Sequence, residues 1–281
     1  SDNIMVILGT GEGRLANRLL LSSHALAYTI RKKEKFIDLS FTSYSHLFEL
    51  KSSSKNIKTY FIKSKWLSVF ISKFLSFIIL SNDYLKSHFI DYYKIGWTHT
   101  EIENLKRHKN GLLFLSGEGF RDTHGVKRHR SQICGIFEPN KEYQIKADQI
   151  IRKIKNDNNT LIGVHIRRGD YREVMKEYCY DDKEYCDILM QINSRGYLNV
   201  PVTYLICSDE KINKNAFDDF NTYFSEEDPI VDLLLLSKCD YIIGPPSTFS
   251  LWASYYGKVP LLTIKNNRMT FDLHDFKISE L

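Results

Sequence analysis

The chain has no Cys-x-x-Cys pair and no strict Asp-x-Asp, and only six of its 281 residues are proline. Each shortage excludes something. The five cysteines, Cys134, Cys179, Cys186, Cys207 and Cys239, lack metal-site spacing. Their odd number in apolar settings reads as free thiols in a reducing compartment. Without Asp-x-Asp there is no paired-carboxylate motif for an obligatory Mg²⁺ or Mn²⁺, so no metal site is expected. Few prolines and no low-complexity tract exclude a disordered or fibrous chain. No apolar run reaches the roughly twenty residues that a bilayer span requires. The most apolar stretch, 66–80, is interrupted by Lys73. It reads as a core helix, with a helix lying in the membrane interface as the alternative. No secretory signal opens the sequence, so a cytoplasmic protein is expected, with peripheral membrane contact as an option; a chain starting at Ser1-Asp2-Asn3 leaves an upstream anchor open.

What is present is the composition of a globular enzyme, 43% hydrophobic and 26% charged. The length suits one large or two ordinary domains. The net charge of +5 conceals an asymmetry: residues 1–145 hold 22 Lys and Arg against 13 Asp and Glu, whereas 146–281 hold 17 against 21. A basic N-terminal half suggests an anionic surface or partner there, or else scattered solvated lysines. No recognised basic-aromatic motif supports nucleic-acid binding.

Ile4-Met5-Val6-Ile7-Leu8 is an apolar run of strand length, followed by the permissive turn Gly9-Thr10-Gly11-Glu12-Gly13. Residues 15–31 keep helical spacing, with lysines at the C-terminal end. Phe36-Ile37-Asp38-Leu39 is the next strand. This is a βαβ opening of Rossmann type. The dinucleotide fingerprint Gly-x-Gly-x-x-Gly is not met, because Arg14 stands where the third glycine belongs. Asp38, at the end of the second strand, keeps a nicotinamide or flavin enzyme as a rival by offering a ribose contact. Residues 40–110 mix helical stretches rich in Lys, Ser and aromatics and carry no recognisable chemistry. Residues 112–115 form a buried strand ending in Ser116-Gly117-Glu118-Gly119, and 121–130 form a basic loop with His124 and His129. The pattern resets near Pro139, which places a boundary between domains 1–142 and 143–281. The second half repeats the α/β rhythm: helices over 144–155, 182–193, 230–236 and 248–256, and strands over 160–166, 202–207, 241–243 and 259–264.

The chain is organised around Val164-His165-Ile166-Arg167-Arg168-Gly169-Asp170-Tyr171, at the C-terminal end of a strand buried on both faces. Ligands bind at that edge of an open α/β sheet. Two adjacent arginines there need an anion: a phosphate, matched by the planar guanidinium fork, or Asp170 or Asp209 in an internal ion pair.

His-x-Arg-Arg-Gly-Asp-Tyr resembles the first motif of the α-1,2-fucosyltransferases, glycosyltransferase family 11, within the wider GDP-fucose-dependent fucosyltransferases. Three other segments agree in order. Gly13-Arg14-Leu15-Ala16-Asn17-Arg18 is similar to the family's Gly-x-Leu-Gly-Asn-Gln. Tyr204-Leu205-Ile206-Cys207-Ser208-Asp209-Glu210 matches its strand followed by Ser-Asp-Asp, and Ser247-Thr248-Phe249-Ser250-Leu251-Trp252-Ala253 its Ser-Thr-Phe-Ser-x-Trp-Ala. The resemblance implies a GT-B-type α/β fold, two Rossmann-like domains facing a cleft. It implies inverting, metal-independent transfer of fucose from GDP-fucose to a glycan hydroxyl, α-1,2 to a galactose-like residue. The alternative is a transferase using another nucleotide sugar. The expected partners are a nucleotide-sugar donor and an oligosaccharide or polysaccharide acceptor, with no cofactor.

In that scheme Arg167 binds the β-phosphate and Arg168 braces the loop through Asp170 or Asp209, although the resemblance leaves either arginine eligible as the donor contact and counts Asp170 with the donor site. His165 is either a donor contact or a satisfied core histidine. Ser247 and Thr248, with Phe249 and Ser250, open a helix whose free N–H groups suit a pyrophosphate. Ser208 and Asp209 end a neighbouring strand on the same edge. Gly13, Arg14 and Asn17 match family positions in the N-terminal domain, and Glu12 is the candidate base for the acceptor hydroxyl. Ala16, Arg18 and Pro245-Pro246 depart from the family pattern and leave the acceptor open.

Overall fold

The computed structural model describes residues 5–10, 13–50, 59–96, 98–105, 111–194, 200–266 and 269–281. The chain divides into two compact units between Asn140 and Lys141. Each is an α/β unit built on an all-parallel five-stranded sheet.

The first unit contains β1 (Met5–Leu8), α1 (Leu15–Lys32), β2 (Lys35–Asp38), β3 (Thr59–Phe61), α2 (Lys65–Ser81), α3 (Asp83–His88) and β4 (Ile90–Ile95). β5 (Thr100–Glu101), β6 (Leu112–Gly117), β7 (Phe120–Arg121), α4 (Thr123–Arg128) and α5 (Arg130–Ile136) complete it. The sheet order is β3-β2-β1-β6-β4, and β5 pairs separately with β7. The central strands are buried on both faces, as parallel strands are: Val6, Leu113, Phe114 and Leu115 are fully enclosed. α1 is buried almost all round, and its polar residues bond internally: Ser23 Oγ donates to the Leu19 carbonyl and Thr29 Oγ1 to that of Ala25. Asp38 lies beneath it, fully buried. Its Oδ2 accepts from Ser22 Oγ, and its Oδ1 accepts from the Ser40 N–H and Oγ and the Phe41 N–H. Both oxygens are thus engaged inside the protein rather than offered to a ribose.

Two expectations are corrected here. The segment 40–110 holds strands β3, β4 and β5, which are short or, like Ile90-Asp91-Tyr92-Tyr93-Lys94-Ile95, edge strands with an interrupted pattern. The basic segment 121–130 is mostly helical, not a loop, because Asp122 caps α4 by accepting the Gly125 N–H at 3.0 Å.

The second unit runs α6 (Lys141–Ile154), β8 (Thr160–Ile166), α7 (Tyr171–Val174), α8 (Asp182–Ser194) and β9 (Val202–Ser208), then β10 (Thr222–Phe224), α9 (Pro229–Leu236), β11 (Tyr241–Gly244), α10 (Thr248–Gly257) and β12 (Leu261–Thr263). The last strand is shorter than the expected 259–264. Sheet order β10-β9-β8-β11-β12 places the first strand of the unit in the centre, flanked by its second and fourth. Chain direction across the sheet therefore reverses between β8 and β11. Such a switch point opens a crevice at the strands' C-terminal ends, because the connections leave it toward opposite edges.

Candidate active site

The switch point of the second unit brings together the two most distinctive sequence motifs. β8 ends at Ile166 and delivers Arg167-Arg168-Gly169-Asp170; the neighbouring β11 ends at Gly244 and delivers Pro245-Pro246-Ser247 and α10. Tyr171 links them. Its hydroxyl donates to the Pro246 carbonyl, and the Arg167 guanidinium lies 5.5 Å from its ring centroid.

The adjacent arginines have different surroundings. Arg167 is held between two carboxylates, Nη2 to Asp170 Oδ1 at 2.7 Å and Nη1 to Asp209 Oδ2 at 3.0 Å. Its Nε–H is buried with no hydrogen-bond partner, an incomplete state for a buried charged donor. Of the two carboxylates, Asp170 is 43% exposed and Asp209 only 15% in their side chains. Asp209 is also fixed from behind by the N–H groups of Arg168 (2.9 Å) and Gly169 (3.3 Å). A Cβ on Gly169 would lie 2.6 Å from Asp209 Oδ2, so glycine is what lets the carboxylate close onto this backbone. An anion arriving at Arg167 would therefore displace Asp170 more readily than Asp209.

The Arg168 side chain braces the loop, but not through Asp170 or Asp209; only its main-chain N–H reaches Asp209. Its Nε donates to the Tyr180 carbonyl at 2.7 Å, its Nη2 to Asp182 Oδ1 at 2.6 Å, and its guanidinium lies 5.9 Å from the Tyr185 ring centroid. Successive side chains leave an extended backbone on opposite sides, and Arg168 thus meets the start of α8 instead of Asp170.

His165 is 4% exposed. Its Nδ1 sits 2.7 Å from Ser250 Oγ, and its ring centroid lies 5.0 Å from that of Phe249. Burial, reinforced by the Arg167 charge, pushes its pKa down to about 3. It is a neutral core histidine locking α10 to β8. Gly244 leaves room for that contact, since a Cβ there would lie 2.8 Å from Ser250 Oγ. Ser247 caps α10 by accepting the Phe249 N–H at 3.3 Å, and Thr248 begins the helix. Burial raises the Tyr171 phenol above its ordinary value, which keeps it a hydrogen-bond donor.

Ser208 ends β9, where its hydroxyl accepts the Glu210 N–H. Sequence reasoning missed the cavity beside it, about 590 Å³, at the ends of β9 and β10, whose lining includes Ser208, Asp209 and Phe224, the lysines Lys211 and Lys214, and the glutamates Glu210, Glu226 and Glu227. No residue motif marks it; it exists because the strand ends lie side by side.

Gly13, Arg14 and Asn17 belong to the first unit, at the start of α1. Gly13 has φ +108° and approaches Asn17 closely, a conformation that favours glycine. Arg14 is the N-cap residue. Glu12 lies outside the described residues. Glu118, passed over in the sequence, pairs its Oε1 with Nη2 of the buried Arg18 at 3.0 Å, just beyond β6 and next to the end of β1. Its position after a strand and between two glycines was the available signal. Among the described residues no three or more His, Cys, Asp or Glu side chains are grouped to hold a metal ion.

The profile of Glycosyl transferase family 11 matches residues 16–272. Galactoside alpha-(1,2)-fucosyltransferase 2 of Rattus norvegicus is 27% identical over 180 residues, 58% of this chain and 50% of that one. The same-named protein of Bos taurus is 27% identical over 139 residues, 45% of this chain and 40% of that one. The chain spans about half the length of the curated relatives it matches. Among solved structures, NodZ alpha-1,6-fucosyltransferase soaked with GDP-fucose aligns over 98% of this chain and 97% of its own at TM-score 0.56 and 15% identity. A mutant of Arabidopsis thaliana FUT1 in complex with GDP aligns over 95% and 72% at TM-score 0.60 and 11% identity. At such identities the likeness establishes the fold, GT-B-type α/β.

Proposed function

Because the chain belongs to glycosyl transferase family 11, we propose that it transfers fucose from GDP-fucose to a glycan hydroxyl, α-1,2 to a galactose-like residue, with inversion and without an obligatory metal. The observation that carries this reading is the β8–β11 switch point: Arg167, with a buried partnerless Nε–H, tied through Tyr171 to the N-terminal end of α10. The second unit is then the donor domain and the first the acceptor side. As the bond from fucose to phosphate breaks, negative charge grows on GDP. Arg167 and the positive end of the α10 helix dipole stabilise that charge more in the transition state than in the ground state. His165 contributes position rather than charge, since its imidazole is neutral at ordinary pH. Arg168, committed to Asp182 and Tyr180, keeps the loop in shape. Ser208 and Asp209 border the cavity that would receive part of the nucleotide. The sugar becomes oxocarbenium-like, and Glu12, which stands between Gly11 and Gly13 in the sequence, takes the proton of the acceptor hydroxyl.

The test is calorimetric titration of GDP in EDTA, with UDP and NAD⁺ as controls. GDP alone is expected to bind, at micromolar concentration, and Arg167→Ala to weaken binding by at least about tenfold, the cost of a charge-assisted bidentate contact. Glu12→Gln is expected to bind GDP like the wild type while transferring fucose poorly. Binding of NAD⁺ or UDP in preference to GDP would sink the donor assignment, and full transfer by Glu12→Gln would remove that base.

A further inference from the structure

α2 was expected in the core, and only one of its faces lies there. Ile71 and Leu75 pack against Ile7, Leu39 and Phe114. The hydroxyls of Ser68 and Ser72 on the same side meet Thr42 Oγ1 at 2.6 Å and Thr10 Oγ1 at 3.2 Å. The opposite face is just as apolar and open to solvent: Trp66 is 75% exposed, Phe70 51%, Phe74 51%, Phe77 71% and Leu80 60%. These positions fall on one helical stripe. Trp66 stacks on Phe70 at 5.5 Å and Phe70 on Phe74 at 5.8 Å, each pair within 9° of parallel, forming a continuous aromatic ladder. A contiguous surface of this kind marks an interaction site, whereas singly exposed apolar residues do not.

We propose that the outer face of α2 docks on an anionic phospholipid bilayer, with the helix lying in the plane of the interface. Charge identifies the occupant. Residues 50–82 contain six lysines and no Asp or Glu. Lys63, Lys65 and Lys73 are exposed, and Lys73 lies within the apolar stripe itself, where its long stem can cross the apolar layer to reach a headgroup. Trp and Phe on one face with lysines around them is the composition of an interfacial helix. A second copy of the chain fits poorly, since an isologous contact would set these lysines against their own counterparts. Among the described residues no helix is long and apolar enough to cross a membrane, so α2 lies on the bilayer. α2 also holds Thr10, two residues beyond β1, through Ser72. Thr10 then stands about one helix diameter, ~10 Å, from the lipid surface. An acceptor carried on a lipid would meet the first unit from that side.

The test needs no sugar donor, so its failure is separate from failure of the proposed reaction. The full chain is sedimented with vesicles of phosphatidylcholine alone, or containing phosphatidylglycerol, at low and high salt. Quenching of Trp66 by brominated lipid is followed against a Trp66→Phe control. Binding to the anionic vesicles, weakened by salt, is expected. Phe70→Ser with Phe77→Ser, and Lys63→Glu with Lys73→Glu, should each weaken it by about tenfold or more. Both variants should keep the wild-type circular dichroism, because the altered side chains are exposed. Absence of binding by the wild type, or equal binding by the variants, would overturn the proposal. So would a wild-type dimer that the serine variant dissolves without any vesicle binding, which would assign the face to a second copy.

Discussion

At the scale of single residues, neighbours of identical type have separate tasks because the backbone sends them to different surroundings. Arg167 faces two carboxylates and retains an unused donor; Arg168 is consumed by Asp182 and the Tyr180 carbonyl. Sequence made the pair visible but not its division of labour, since ion-pair partners depend on which helix end stands nearby. His165 shows the same limit. Its place in the motif was plain, and only its burial against Ser250 decides that it is neutral.

That neutrality has a measurable sign. In the unfolded chain histidine titrates near 6.5, but folded His165 and His24 are both held down to about 3, chiefly by burial. Between those values the unfolded chain binds more protons than the folded one. The stability contributed by each neutral imidazole is therefore fully present above about 6.5 and lost as pH falls toward 3. Asp232 opposes this: its pKa is raised by burial to about 6, so its protonated form favours the fold as pH falls from about 6 toward 3.8. Replacing His165 by Gln removes one imidazole and leaves Asp232. From pH 6.5 to 5 the wild type should lose about 2 kcal/mol more than His165→Gln, read from urea unfolding at each pH. Parallel losses in the two proteins would mean that the folded imidazole accepts a proton.

At the scale of elements, the site depends on how α10 is seated. Ser247 starts the helix, His165 pins its first turn through Ser250, and Gly257 ends it against α9. A Cβ on Gly257 would lie 2.0 Å from the Ser237 carbonyl oxygen, a backbone atom that cannot turn aside. Gly257→Ala is therefore expected to cost about 1–3 kcal/mol, seen as a lower melting temperature, and to weaken GDP binding as α10 shifts. Unchanged stability would show that the α9–α10 contact is loose. Long periodic helices such as α1, α6 and α8 were legible in the sequence, as were the continuously apolar strands β1 and β8. The edge strands β3 and β4 were not, because a three-residue or polar-interrupted strand leaves no period to read. The outer face of α2 escaped for the opposite reason: with apolar residues on both sides, hydropathy could not say which one meets the core.

At the scale of the whole molecule, the amino-acid order alone determined the α/β class, the Rossmann-type opening, the charge contrast between the halves and the four motifs that point to one family. These are properties of local pattern and residue chemistry, and no neighbour distant in sequence is needed to read them. Strand order belonged to the tertiary structure. Placing β11 against β8 sets Tyr171 and Arg167 beside the start of α10, roughly eighty residues further on. The tertiary structure also decided that Asp38 is sealed by four donors and that Arg167 keeps an unpaired N–H, because burial and partner geometry arise only when segments remote in sequence pack together.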